Sequence, residues 1–189
     1  MARKIRKCLV IDASVVRSAS FADDPVASKC WECLETIYVT CHKAILTADI
    51  ERVWYDVALL PASGSAVRTT YITGWLAAME ARGKLLRQNI PRNSDLRRKI
   101  NRIGLDPNDR MELIADIHLI EAAVATDKTV LSRDDAARRI LTTAVRYFPE
   151  LGPIVWCNPV TQHPGVIDWM KTGAKTVRAW QLRSRIDKR

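Results

Sequence analysis

No apolar run in this 189-residue chain approaches the ~20 residues needed to cross a bilayer, so a membrane-spanning helix is not expected. Internal repeats and low-complexity stretches are missing too, which argues against a solenoid or a disordered chain. MARKIRK is followed only by CLVID, too short an apolar stretch for the core of an export signal. The five cysteines are an odd number and lack a disulfide-like spacing, so a reduced, cytoplasmic setting is expected. Acidic residues are scarce in three places. Segments 1–7, 82–102 and 171–189 hold 19 of the 30 Lys and Arg residues, with only Asp95 and Asp187 to offset them. Clustered base of this kind, within a net charge of +9, calls for an anionic partner rather than a merely solvated face.

What is present reads as one soluble α/β domain: 48% hydrophobic and 27% charged residues, in a chain long enough to bury a core. Lys7 to Asp12 is a short, unbroken apolar run ended by an acid, the mark of a central parallel strand buried on both faces. Residues 26–41 form a helix whose Cys30, Leu34, Ile37 and Cys41 recur as a core-facing stripe. The Cys30-x-x-Cys33 pair is therefore expected to be buried and structural rather than half of a zinc or redox site, for which only Cys41-His42 offers a second ligand pair. Lys43 to Leu46 is a second strand, and Thr47 caps a helix running to Leu59. Pro61 to Ser65 is a loop and Thr69 to Arg82 a helix. The basic section follows, with a short helix over Ser94 to Arg102.

The stretch Asp109 to Asp135 organises the rest. Ile117 to Ala125 has helical spacing, with Asp116 at its start, and Thr129 to Leu131 is a buried strand ending in Ser132-Arg133-Asp134. Ala136 to Phe148 is a helix and Pro153 to Cys157 a last strand. The tail from Gly165, with Ile167, Met170, Val177, Trp180 and Leu182, reads as an amphipathic helix packed on the body or on a partner. Alternating strands and helices predict a three-layer α/β/α fold with a central parallel sheet over residues 1–160, and a basic C-terminal helical extension over 161–189. Asp12 and Asp134 then end parallel strands at one edge, where ligands of such sheets gather, and Asp116 stands above it. Carboxylates brought together repel one another unless a cation lies between them. Hard Mg2+ takes such oxygen ligands and suits phosphate substrates.

CLVIDASVV, DIHLIEAAVATDKTVLSRDD and the order of elements between them resemble the PIN domain family of metal-dependent nucleases, over roughly residues 7–157. That family's pattern is an aspartate ending the first strand, a glutamate early in the second helix, an aspartate opening a later helix and a Thr/Ser-x-Asp ending the fourth strand. Asp12, Asp116 and Ser132-Arg133-Asp134 match it. The glutamate does not: counting from Thr47, its position is Val53, with Asp49 one turn earlier on the same face and Glu51 on another.

The resemblance implies an endoribonuclease using Mg2+ or Mn2+. Asp12, Asp116 and Asp134 are the expected metal ligands, with Ser132 and either Glu51 or Asp49 beside them. RNA is the implied substrate, held by Arg97, Arg98 and Arg102. An antitoxin protein and a homo-oligomeric assembly are the implied partners. The alternative is a PIN-like module that binds RNA or protein with little or no cleavage. A phosphatase of the haloacid dehalogenase type fits poorly, because Ser14 stands where its second aspartate belongs.

Overall fold

The computed structural model describes residues 6–19, 24–56, 66–102 and 104–185. Five strands form one all-parallel sheet: β1 (Cys8–Ile11), β2 (Lys43–Leu46), β3 (Leu85–Arg87), β4 (Thr129–Leu131) and β5 (Val155–Cys157), in the order β3-β2-β1-β4-β5. The central strand is β1, and Leu9, Val10 and Ile11 have no exposed surface, as an apolar run covered on both faces requires.

The helices between strands are α1 (Ala13–Ser18), α2 (Pro25–Val39), α3 (Ala48–Trp54), α4 (Ala66–Ala81), α5 (Ser94–Ile100), α6 (Pro107–Ala115), α7 (Ile117–Ala125) and α8 (Asp135–Ala144). Right-handed crossovers carry the chain outward from β1 to β2 and β3 with α2 and α4 on one face. The same rule returns it to β4 and β5 with α5 to α8 on the other. Trp75 Nε1 donates to the Leu34 carbonyl at 3.0 Å and Tyr71 donates to Glu35 at 3.0 Å, tying α4 to α2. The result is the three-layer α/β/α architecture. No helix among the described residues is long and apolar enough to cross a membrane.

Helix starts follow local chemistry. Asp24 precedes Pro25 and accepts from the Val26 and Ala27 amides, Thr47 accepts from Ile50, and Asn93 accepts from Leu96. At the other end of α2, the Lys84 ammonium donates to the carbonyls of Ile37, Tyr38 and Thr40, which the helix itself leaves without partners.

Three elements differ from expectation. The strand β3 is not evident in the sequence: it has three residues, pairs with β2 alone and buries only Leu85 fully, so it carries neither an apolar run nor an alternation. The segment before Asp116 is a separate helix, α6, whose start is set by Asp106 accepting from Asn108. The tail is not one amphipathic helix. Gly165–Lys171 forms α9, after which Gly173 (φ 97°) and Ala174 (φ 52°) turn the chain out of helical geometry. Helix α9 buries Val166, Ile167, Trp169 and Met170 and packs against α2. Beyond it Trp180 meets Trp169 edge-on at 5.4 Å, Gln181 pairs with Val155, and Leu182 is fully buried. The tail therefore covers the β5 edge, which would otherwise offer unpaired backbone groups. The loop expected at Pro61 to Ser65 and the end of the helix expected at Leu59 lie outside the described residues.

Among the described residues no disulfide joins the cysteines. Cys30, Cys33 and Cys157 are buried, while Cys41, expected on the core-facing stripe, is half-buried because α2 ends at Val39. Burial pushes the Cys33 thiol well above its usual range, with Cys30 and Cys157 adding to the shift. His42 is buried between the Lys7 amide, which donates to Nδ1 at 3.2 Å, and the Met170 carbonyl, 2.8 Å from Nε2. Its nitrogens are thus engaged with backbone, consistent with a core role for this part of α2 and β2.

Candidate active site

The chain runs from β1 to β2 on one side, while β4 lies on the other side of β1. The gap between β1 and β4 is therefore the point where the winding reverses, and the crevice outside the carboxyl ends of the strands opens there. Asp12 follows β1 directly, and Ser132, Arg133 and Asp134 follow β4 directly.

Hydrogen bonds stitch these two strand ends together. Asp12 Oδ2 accepts from Ser14 Oγ at 2.5 Å and from Ser132 Oγ at 2.6 Å. Each serine oxygen in turn accepts a backbone amide from the β4 loop: Arg133 N to Ser14 at 3.1 Å and Asp134 N to Ser132 at 3.0 Å. The Asp12 amide completes the link by donating to the Leu131 carbonyl at 2.9 Å. Two hydroxyl donors to one carboxylate oxygen fix its orientation. Asp134 Oδ1 caps α8 through Ala137 N at 2.7 Å. From the far side buried Asn158 donates to the Arg133 carbonyl at 3.2 Å and to Asp135 at 3.1 Å, bracing the loop against β5. Sequence reasoning noted Ser14 only for its small size and missed its bond to Asp12, and it missed Asn158 as a site-shaping residue, since neither belongs to a charged or apolar pattern.

Asp116 occupies the junction of α6 and α7 and makes no side-chain capping bond there. Its carboxyl is pushed up to about 7, first by burial, then by the charges of Asp12 and Asp134, and last by Glu112. The three aspartates nominated from the sequence thus feel one another's charge. Among the described residues, however, no three His, Cys, Asp or Glu side chains stand close enough to enclose an ion by themselves. The donor set is all oxygen and repels itself. It fits a hard divalent ion of the Mg2+ kind, which keeps several waters and is bound through one or two carboxylates, better than a fully caged metal.

The second-helix acids are paired with arginines. Asp49 pairs with Arg92 at 3.1 Å and Arg52 at 3.8 Å, and the Arg92 guanidinium holds its carboxyl below the usual range. Glu51 is exposed and meets Arg87 at 3.4 Å. Val53 does line a small groove of about 120 Å³ with Asp49, Ala115, Ile117 and His118, alongside the junction that carries Asp116. A carboxylate at position 53 would therefore enter the space beside Asp116. We expect Val53→Glu to tighten Mg2+ binding severalfold, measured by calorimetry, and Asp49→Asn or Glu51→Gln to leave it unchanged. Weakened metal binding in either of the latter would return that acid to the ligand set.

A second opening of about 510 Å³ lies at the carboxyl ends of β2 and β3, lined by Asp49, Glu51, Arg87, Arg92, His118 and Glu121 among others. Because β3 ends there, Arg87 and the residues after it reach the same sheet edge as the acids. Arg98 is exposed and pairs with Asp95 at 2.8 Å, and Arg102 is exposed. Arg97 is engaged inward instead: Nε and Nη2 hold the two oxygens of Glu121 at 2.9 and 2.7 Å, and Asn93 N adds 2.7 Å. Glu121 is buried and escaped notice because it falls within an apolar helix. Compared with family models, with curated proteins and with solved structures, the chain matches none of them, so its function must be read from this geometry.

Proposed function

We propose that the chain is a metal-dependent endoribonuclease of PIN-like type. The observation that supports the reading is that Asp12 and Asp134 stand beyond the carboxyl ends of β1 and β4, where the winding of the sheet reverses, and that their charges act on the Asp116 carboxyl, on an edge that also carries the arginines following β3. Asp12, Asp116 and Asp134 would hold Mg2+ or Mn2+, with water completing its shell. When bound, such an ion polarises a phosphodiester and lowers the pKa of a coordinated water.

The remaining work falls to the chain itself. Ser14 and Ser132 fix the Asp12 carboxylate, so that ligand is oriented before anything binds. Capping of α8 holds Asp134 in place. Exposed Arg92, Arg98 and Arg102 are suited to backbone phosphates, which attract cations without regard to sequence. Which RNA is cut, and whether an antitoxin or a second copy of the chain covers the site, belongs to the same proposal.

The second reading, a binding module with weak or no cleavage, draws on a specific observation: Asp49 and Glu51 are paired with arginines, so the second helix adds no evident ligand. Incubating total RNA with the protein and Mg2+ or Mn2+, or with EDTA, separates the two. Cleavage is expected only with metal and is expected to vanish in Asp12→Asn. RNA that is bound but uncut under either metal would leave the binding module.

A further inference from the structure

Lysines from three neighbouring strands gather at the edge of the sheet opposite the acids. Lys7 precedes β1, Lys43 opens β2 and Lys128 precedes β4, three neighbouring strands entered from the same side. Cys8 pairs with Lys43, and Val10 with Val130, which puts Lys128 at the level of Cys8. Backbone bonds fix the row: Lys43 N donates to the Lys7 carbonyl at 2.9 Å, and Val155 N to that of Lys128 at 2.8 Å. With strands about 4.8 Å apart, the three lysines start within roughly 10 Å of one another. Exposed Arg6 adjoins them.

The C-terminal segment completes this surface. Lys7 and Lys128 line a recess of about 280 Å³ together with Thr126, Thr129, Thr176 and Gln181. The lining includes one carboxylate, Asp127, whose Oδ2 accepts the Cys8 amide at 2.7 Å. Among the described residues Arg6, Lys7, Lys43 and Lys128 have no carboxylate within ion-pair distance. Like charges set side by side across strands oppose folding, so the sheet gains nothing from this row by itself. Thr126 and Thr129 donate their hydroxyls to the Ala122 and Asp127 carbonyls and Gln181 donates to that of Pro153, so the lysines are the groups on this surface suited to phosphate oxygens.

We propose that the amino-terminal edge of the sheet, Lys7, Lys43 and Lys128 with the recess beside them, is a second binding surface for the RNA phosphodiester backbone. The choice of RNA rests on the ribonuclease reading. Lys7 and Asp12 are separated by the length of β1, about 16 Å of extended chain. A short oligonucleotide at the acids does not reach the lysines, whereas a long or folded RNA passing around the domain does. The substrate class is therefore an extended or structured RNA, anchored at one edge and addressed by the acids at the other.

The test compares the full chain with the triple variant Lys7→Gln, Lys43→Gln, Lys128→Asn; asparagine is chosen because Lys128 has φ 54°. Fluorescence anisotropy with a labelled long RNA in EDTA, over a range of salt, reads binding with cleavage switched off. Losing three contacts should reduce the slope of log K against log salt by about 2, at ~0.7 per contact on a single strand. Affinity for a short oligonucleotide should stay unchanged. The charge-keeping triple Lys→Arg variant should retain the wild-type slope, which separates lost charge from lost folding. An unchanged slope in the neutralised variant overturns the proposal. So does a variant that loses binding to anionic phospholipid vesicles and not to RNA. An active nuclease with an unchanged slope would reject this surface alone, and a protein that never cleaves but shows the reduced slope would reject the nuclease reading alone.

Discussion

Asp116→Asn is expected to abolish RNA cleavage and, in the absence of metal, to make the protein more stable than wild type at neutral pH. In the folded chain partial burial, then the charges of Asp12 and Asp134, push this carboxyl up to about 7. In the unfolded chain it titrates near 4. Between those values the folded state binds more protons than the unfolded one, so wild-type stability falls as pH rises from about 4 to about 7 and levels off above. Three units at ~1.4 kcal/mol each, reduced for partial exposure, put the loss at about 2 to 4 kcal/mol. Asparagine nearly keeps the shape and carries no charge, so that part of the decline should disappear. Urea unfolding at several pH values in EDTA measures it. Saturating Mg2+ should flatten the wild-type profile and leave that of the variant unchanged. Wild-type cleavage rates in Asp116→Asn would remove the residue from the site, and an unaltered stability profile would place its carboxyl in water.

Arg97→Ala should cost about 2 to 4 kcal/mol of folding stability, far more than an exposed arginine does. The Glu121 side chain is only 6% exposed, while that of Arg97 is 31% exposed. Truncating the arginine leaves a buried carboxylate with the Asn93 amide as its remaining hydrogen-bond donor. The penalty is chiefly the desolvated charge, so a second change, Glu121→Leu, should recover much of it. This pair also secures α5, the start of which is capped by Asn93, against α7. Its loss should loosen the basic segment while leaving the salt dependence of RNA binding nearly as before. A cost below about 0.5 kcal/mol, the range of exposed pairs, would show that water reaches Glu121 freely.

Much of this was legible because it depends on near neighbours in the chain. An unbroken apolar run announces a strand covered on both faces, and β1, β2 and β4 were readable on that ground. An acid directly after such a run must stand at the strand's carboxyl end, so Asp12 and Asp134 could be placed before any coordinates. The burial of Cys30 in α2 followed from helical spacing in the same way. The strand β3 could not be read, since three residues paired along one side are selected by the partner strand rather than by their own pattern. The tail misled for a related reason: its apolar spacing is real, but two residues in left-handed conformation direct those side chains onto the body and the β5 edge.

Charge shows the division most clearly. The sequence by itself determined that three segments are basic, that the acids of the candidate site end or open secondary structure, and that the sheet is parallel with helices on both sides. Only the tertiary structure decided what those charges face. It turned Arg97 onto Glu121, paired Asp49 and Glu51 with arginines, and brought Asp116 close enough to Asp12 and Asp134 to raise its pKa. It also put Arg87 and Arg92 on the side of the acids and Lys7 and Lys128 at the opposite edge. The physical reason is range. Hydrophobic periodicity and capping act within a turn or a strand, whereas the interaction of two charges depends on a distance and a local dielectric that exist only once the chain has folded.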